Sequence, residues 1–190
     1  MIPISDKIHL RPFTNADAEE LFALIELNRK HLRAFLPWVD NVHAVEDSQN
    51  FIDIATENIE DVYSNKFVRA IISENKLVGV VDFHKGDAKH KILEIGYWLS
   101  KENGGQGIMT KATAAMINQA FEYSDANRII IRCVTNNFKS QAVAERLGFT
   151  KEGVDRQARF SEGRFIDINR NSILRHEWKD QAILAKVLSS

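Results

Sequence analysis

Apolar and polar residues alternate with period two over residues 8–13 (IHLRPF), the mark of a half-buried strand. After Thr14 the rhythm becomes helical, with Ala18, Leu21, Phe22, Ile25 and Leu32 on one face and Asp17 and Glu19 enriching the first turn. Leu36-Pro37-Trp38 breaks this helix. A second is predicted from near Asp47 or Ser48, because Phe51, Ala55, Ile59, Val62 and Tyr63 recur at helical spacing. Two β-rich runs, residues 67–73 and 76–84, joined by Glu74-Asn75, predict a hairpin. A polar loop over 86–90 then leads to a strand over 91–100.

The second half changes rhythm. Residues 103–107 are glycine-rich, and Ile108, Ala112, Ala115, Met116, Ala120 and Tyr123 then build a helical face. Residues 128–134 (RIIIRCV) form a near-continuous apolar strand of the kind covered on both faces. A short helix is expected over 137–147, stopped by Gly148. Two strand-like segments, 149–160 and 164–177, complete the pattern. The order βααβββαβαββ describes an α/β fold, one mixed sheet with helices on both sides. No repeat, low-complexity tract or internal boundary interrupts it, so a single domain is expected over 1–180 with a C-terminal tail over 181–190.

Composition narrows the function classes. Among 190 residues, 25 Lys and Arg stand against 26 Asp and Glu, a formal charge of -1 that asks for neither nucleic acid nor a membrane as partner. The single cysteine, Cys133, excludes an intrachain disulfide and reads as a small buried hydrophobe. The N-terminal MIPISDKIHLRPF has no cationic leader followed by an apolar core, and no apolar stretch approaches the roughly 20 residues that span a bilayer, so a cytoplasmic protein is expected. His84 and His90 flank the polar loop as exposed histidines, and no His/Cys/Asp spacing suggests a metal site. Nothing fixes the oligomeric state, which leaves room for a homodimer.

The informative stretch is EIGYWLSKENGGQGIMTKA, residues 94–112. A strand ends, a loop brings Gly104, Gly105 and Gly107, and a helix starts at once. Such a turn presents several backbone N–H groups in one direction, and the positive end of the helix dipole adds to their field, so a phosphate or pyrophosphate fits there. Glycines also serve such turns for steric reasons alone. The dinucleotide fingerprint G-x-G-x-x-G and the P-loop ending G-K-[ST] are both absent.

About thirty residues on comes VTNNFKSQAVAERLGFTKEG, residues 134–153. Together the two segments resemble the acetyl-coenzyme A core of the GNAT superfamily, and the whole chain order, including IHLRPF and EIGYWL, is similar. Within the superfamily the chain most resembles the RimJ/RimL-like branch, the ribosomal-protein serine or alanine N-acetyltransferases. RKHLRAFLPWVDNVHAVEDSQNF and the GIMTKA helix start carry that likeness. The resemblance implies a single GNAT-type domain, a largely antiparallel sheet of about seven strands flanked by about four helices. It implies acetyl-CoA as cosubstrate, held by Tyr97, Trp98, Leu99, Gly104, Gly105, Gln106, Gly107, Ile108, Met109, Thr110, Asn137 and Ser140. One departure is Glu102, where the family pattern has Gln or Arg. Because backbone amides hold the phosphate, Glu102 is expected to tune affinity.

The resemblance further implies that the strand bearing Tyr97, Trp98 and Leu99 splays from its neighbour at a bulge, where the pantetheine arm inserts. Glu94, on that strand, is the candidate general base, directly or through a water. Ser140 is the candidate that protonates the leaving thiolate, with Tyr97 in reserve. Glu94 could equally be an ordinary strand carboxylate, and Ser140 a local helix cap. Trp38 and Trp98 could line an acceptor pocket or belong to the core, and Lys111, Lys139 and Arg146 could meet the 3′-phosphate or merely be solvated. An α-amine of pKa about 7.8 is roughly a tenth to a fifth neutral at pH 7, a lysine only about 0.04%. This fits a protein N-terminus as the expected acceptor, and the resemblance implies a ribosomal protein first. A small amine such as a polyamine or antibiotic, and a non-catalytic acyl-CoA-binding module, remain open.

Overall fold

The structure, a computed structural model, describes residues 1–57, 61–64 and 67–179. Its elements are β1 (Ile2–Pro3), β2 (Ile8–Arg11), α1 (Ala18–Arg33), α2 (Val45–Thr56), β3 (Phe67–Ser73), β4 (Lys76–Asp87) and β5 (Ile92–Leu99). There follow α3 (Ile108–Tyr123), β6 (Arg128–Val134), α4 (Phe138–Arg146), β7 (Thr150–Ser161), β8 (Arg164–Leu174) and α5 (Arg175–Lys179). The strands form one sheet in the order β1-β2-β3-β4-β5-β6-β8-β7. Every neighbouring pair is antiparallel except β5 and β6. Among the described residues the sheet has eight strands, close to the expected number, Ile2–Pro3 being the additional one paired with β2, and α5 is a fifth helix.

Period-two alternation assigns the two faces. Val68, Ala70, Ile72 and Val80 face α1 and α2, where they pack with Leu21, Ile25, Leu32 and Ile52. Ile71, Val81, Phe83, Leu93 and Ile95 face the other way and pack with Ala112, Met116, Ile117 and Ala120 of α3 and Val143 of α4. β3, sandwiched between the layers, is buried from Phe67 to Ile72.

Several boundaries differ from the sequence pattern for identifiable reasons. α2 starts at Val45 rather than Asp47, since the Asp47 carboxylate reaches back to accept the backbone N–H groups of His43 (2.8 Å) and Ala44 (3.0 Å). It ends at Thr56, where Glu57 turns extended (φ -72, ψ 135). Val62 and Tyr63, expected on its apolar face, instead join the core of the α3 side, and Ile59 lies outside the described residues. The last strand stops at Leu174 instead of running to residue 177. There the Arg175 guanidinium donates to the carbonyls of Ser124 (2.7 Å) and Ala126 (2.8 Å), and the Leu174 N–H donates to Glu177 (2.8 Å), which turns the chain into α5. The tail expected over 181–190 also lies outside the described residues.

Candidate functional site

The parallel contact between β5 and β6 is short. It runs through Ile92↔Arg128, Leu93↔Ile129 and Glu94↔Ile130 and then ends, so the strands part from Ile95 onward. The expected bulge lies on the other neighbour, β4, whose register with β5 shifts between Phe83 and Lys85 and leaves His84 as the extra residue. Ser100 N–H donates to Val78 O at 2.8 Å. By antiparallel alternation, Trp98 and Gly96 then exchange hydrogen bonds with β4, while the backbone groups of Tyr97 and Leu99 turn toward the gap. On that side β6 offers them no partner.

Two cavities meet at this gap. One, of about 660 Å³, is lined by Tyr97, Trp98 and Leu99, by the turn residues Gly104, Gly105 and Gly107, and by Ile108, Met109 and Thr110 of α3. Asn137 and Ser140 close it from the start of α4, and Leu32 of α1 and Phe35 just beyond that helix close the other side. Its charged lining is entirely basic, Lys101, Lys111, Lys139 and Arg146, with His31 beside them. In a chain of net charge -1, this segregation favours a polyanionic ligand. Gly105 (φ +82) and Gly107 (φ +75) take the left-handed conformation, and space for a Cβ is open at both, so the backbone there is free for close approach. Gly107 is the N-cap of α3, a 16-residue helix whose positive end points at the same place. Gln106 alone among the expected binding residues stays out of the lining: its amide donates to the Glu102 carbonyl at 3.4 Å.

The second cavity, of about 680 Å³, lies on the α1–α2 face of the parted strands. Phe35, Leu36, Trp38 and Phe51 form its apolar wall, and Trp38 packs on Trp98 with ring centroids 6.2 Å apart. Its floor holds a charged row that the sequence pattern missed. His84, expected as an exposed histidine flanking the loop, is exposed but belongs to β4, at the bulge, with Nδ1 2.9 Å from Asp82 Oδ1 and Nε2 3.4 Å from Glu94 Oε1. The hydrogen bonds to Asp82 and Glu94 push the imidazole up to about 9, so it is charged at neutral pH. For Glu94, burial pushes the carboxyl up, but the bond and charge of His84, aided by Arg132 and Lys85, outweigh it and hold it below the usual range. A Cβ on Gly96 would come within 2.6 Å of His84 Nδ1 and 2.8 Å of Asp82 Oδ1, so the row requires glycine there. His90 is exposed in the loop, as expected.

Both cavities touch Tyr97, Trp98, Asn137 and Ser140, which therefore mark the junction. Asn137 caps α4 by accepting the Ser140 N–H (3.2 Å), which leaves the Ser140 hydroxyl for Tyr97 OH at 3.0 Å. Burial raises the Tyr97 phenol above its ordinary value and keeps it protonated. Cys133 is buried, as expected of a small hydrophobe, yet borders the second cavity, and burial raises its thiol too. No group of three His, Cys, Asp or Glu among the described residues is placed to hold a metal, and no described helix is long and apolar enough to cross a membrane.

Known proteins account for this geometry. The family profile of the acetyltransferase (GNAT) domain matches residues 7–150. The chain is 31% identical to the ribosomal-protein-serine acetyltransferase of Escherichia coli (strain K12), over 88% of this chain and 93% of the relative. The microcin C7 self-immunity acetyltransferase MccE, in complex with acetyl-CoA and AMP, superposes with a TM-score of 0.84 at 32% identity, covering 90% of this chain and 94% of that one. RimL, the ribosomal L7/L12 α-N-protein acetyltransferase, superposes with a TM-score of 0.83 at 29% identity over 91% of this chain and 97% of that one. It is in complex with coenzyme A, which forms a disulfide with a cysteine of that protein. A basic groove at a glycine turn, opening onto parted strands, fits acetyl-CoA as cosubstrate, and with these matches the chain belongs to the GNAT family as an acetyl-CoA-dependent N-acetyltransferase.

Proposed function

We propose that the chain acetylates the N-terminal α-amine of a protein, a ribosomal protein first among them, by direct attack of the neutral amine on the thioester. The observation that carries this reading is the state of the acids in the second cavity. Asp47 is engaged as the α2 cap, and Asp82 and Glu94 are both bonded to the charged His84. Arg132 and Arg159 line the same space, so its formal charges balance. A polyamine gains little from acids already partnered, whereas an α-amine arrives partly neutral and needs chiefly positioning. The E. coli relative that acts on ribosomal-protein serine supports the same acceptor class.

In this reading the N–H groups of the Gly104–Gly107 turn and the start of α3 hold the pyrophosphate. The backbone of Tyr97 and Leu99 pairs with the pantetheine arm, with Trp98 and Asn137 flanking it. Glu94, ionised and fixed by His84, receives the ammonium proton through a water. As the amine nitrogen bonds to the carbonyl carbon and the C–S bond breaks, the Ser140 hydroxyl, backed by Tyr97 OH, protonates the leaving sulfur.

Gly107→Val tests the turn. A branched residue at φ +75 is strained by about 1–3 kcal/mol and relieves the strain by moving the N–H groups. Coenzyme A affinity should fall about tenfold or more in a calorimetric titration of folded variant, and unchanged affinity would remove the turn from the site.

The chemical step is tested at Glu94 and Ser140. Glu94→Gln and Ser140→Ala should each lower kcat, Glu94→Gln by about 10²-fold or more and most at low pH, with the KM for acetyl-CoA little changed. A Glu94→Gln pH–rate profile that overlays the parent's would make Glu94 structural.

The acceptor is tested by mass spectrometry of products from peptides with a free Ser or Ala terminus, from the same peptides blocked there but carrying lysine, and from spermidine. Free N-termini should be acetylated fastest. Modification chiefly on lysine, or faster turnover of spermidine, would overturn this acceptor and leave the coenzyme site standing.

A further inference from the structure

Helix α1 forms one wall of the coenzyme groove, and the way it is fastened there gives one of its side chains a place in coenzyme binding. Asn28, buried in α1, accepts the backbone N–H of Lys101 through Oδ1 at 2.8 Å and returns its own amide to Leu24 O at 2.9 Å. Lys101 opens the 3-10 turn Lys101–Asn103 that leads into the glycines, so this bond staples α1 to the base of the phosphate turn. One turn further along the same helix face, at i+3 and i+4 from Asn28, come His31 and Leu32, with Phe35 just beyond the helix end, and all three line the groove. The helix thus brings an imidazole to the same groove that the phosphate-suited backbone of the glycine turn lines.

The groups that face this imidazole are basic. Lys139 of α4 and Lys101 of the turn act on it directly, Lys111 of α3 and Arg146 of α4 line the rest of the groove, and no lining side chain is acidic. Glu102, the acid of the turn, is exposed and outside the lining. Burial, then Lys139 and Lys101, hold His31 below its ordinary value. Without an anion, His31 is therefore mostly neutral at pH 7.

We propose that His31 is a coenzyme-binding residue whose imidazolium donates a hydrogen bond to a phosphate oxygen of acetyl-CoA, making coenzyme binding proton-linked. Phosphate supplies the negative charge that the groove lacks, so the bound complex holds the proton more tightly than the empty protein does. The sign follows: coenzyme affinity gains a contribution as pH falls below the value in the complex, and that contribution is absent at high pH.

The test is a calorimetric titration of coenzyme A into the full-length protein and into His31→Gln between pH 5.5 and 8.5. Both proteins see the same ligand, so the titration of the coenzyme's own phosphate cancels in their ratio. The parent should bind with equal or nearly equal affinity to the variant at pH 8.5 and about tenfold more tightly at pH 5.5, the effect of a one-unit shift. Dephospho-coenzyme A assigns the contact: an effect that persists places it on the pyrophosphate, one that disappears places it on the 3′-phosphate, and either upholds the proposal. Parallel pH profiles for parent and variant would overturn it, and because the parent still binds coenzyme A, the coenzyme site itself would stand.

Discussion

The interaction on which the site depends is the three-pair ladder between β5 and β6, which ends at Glu94↔Ile130. A longer ladder would satisfy the backbone of Tyr97 and Leu99 within the sheet and leave no gap. A shorter one would weaken the one strand pairing that links β1–β5 to the β6-β8-β7 unit in the sheet. At its present length it holds the halves together at one end and opens them at the other. Backbone polar groups inside a protein need partners. An extended amide chain such as pantetheine can supply them, in the manner of an added strand.

The charges are sorted around that opening. On the groove side every charged lining residue is basic, and the glycine turn adds backbone N–H groups and the start of α3. On the opposite side, Asp82, His84 and Glu94 form a row in which the imidazolium sits between two carboxylates. Tyr97 and Ser140 stand where the two environments meet. The donor's phosphates and the acceptor's amine therefore approach through chemically different surfaces, and the thioester would come to lie between them.

The parts of this arrangement with local causes were legible in the sequence. The glycine turn, the short helix α4 with its Gly148 stop, and the hairpin of β3 and β4 each follow from neighbouring residues, and each is found close to where the pattern places it. What escaped reading depends on partners distant in the chain. His84 read as an exposed histidine beside a loop because β4 was expected to end there; only pairing with β5 carries the strand to Asp87 and turns His84 into the bulge. Gly96 carries no local signal for its role, which is to leave room for His84 across the sheet. The helical spacing that included Val62 and Tyr63 was fortuitous, since both side chains serve the opposite core. His31 was one polar residue among many on α1 until the Asn28–Lys101 bond fixed the rotation of that face.

The most direct measurement of the central claim is amide hydrogen exchange of β5, resolved by residue, with and without coenzyme A. The account predicts that the Tyr97 and Leu99 amides exchange readily in the free protein and become strongly protected on binding, while Trp98, paired with Val80, is protected throughout. Equal protection of Tyr97 and Leu99 in both states would contradict it, because the parted strands would then not be what receives the coenzyme.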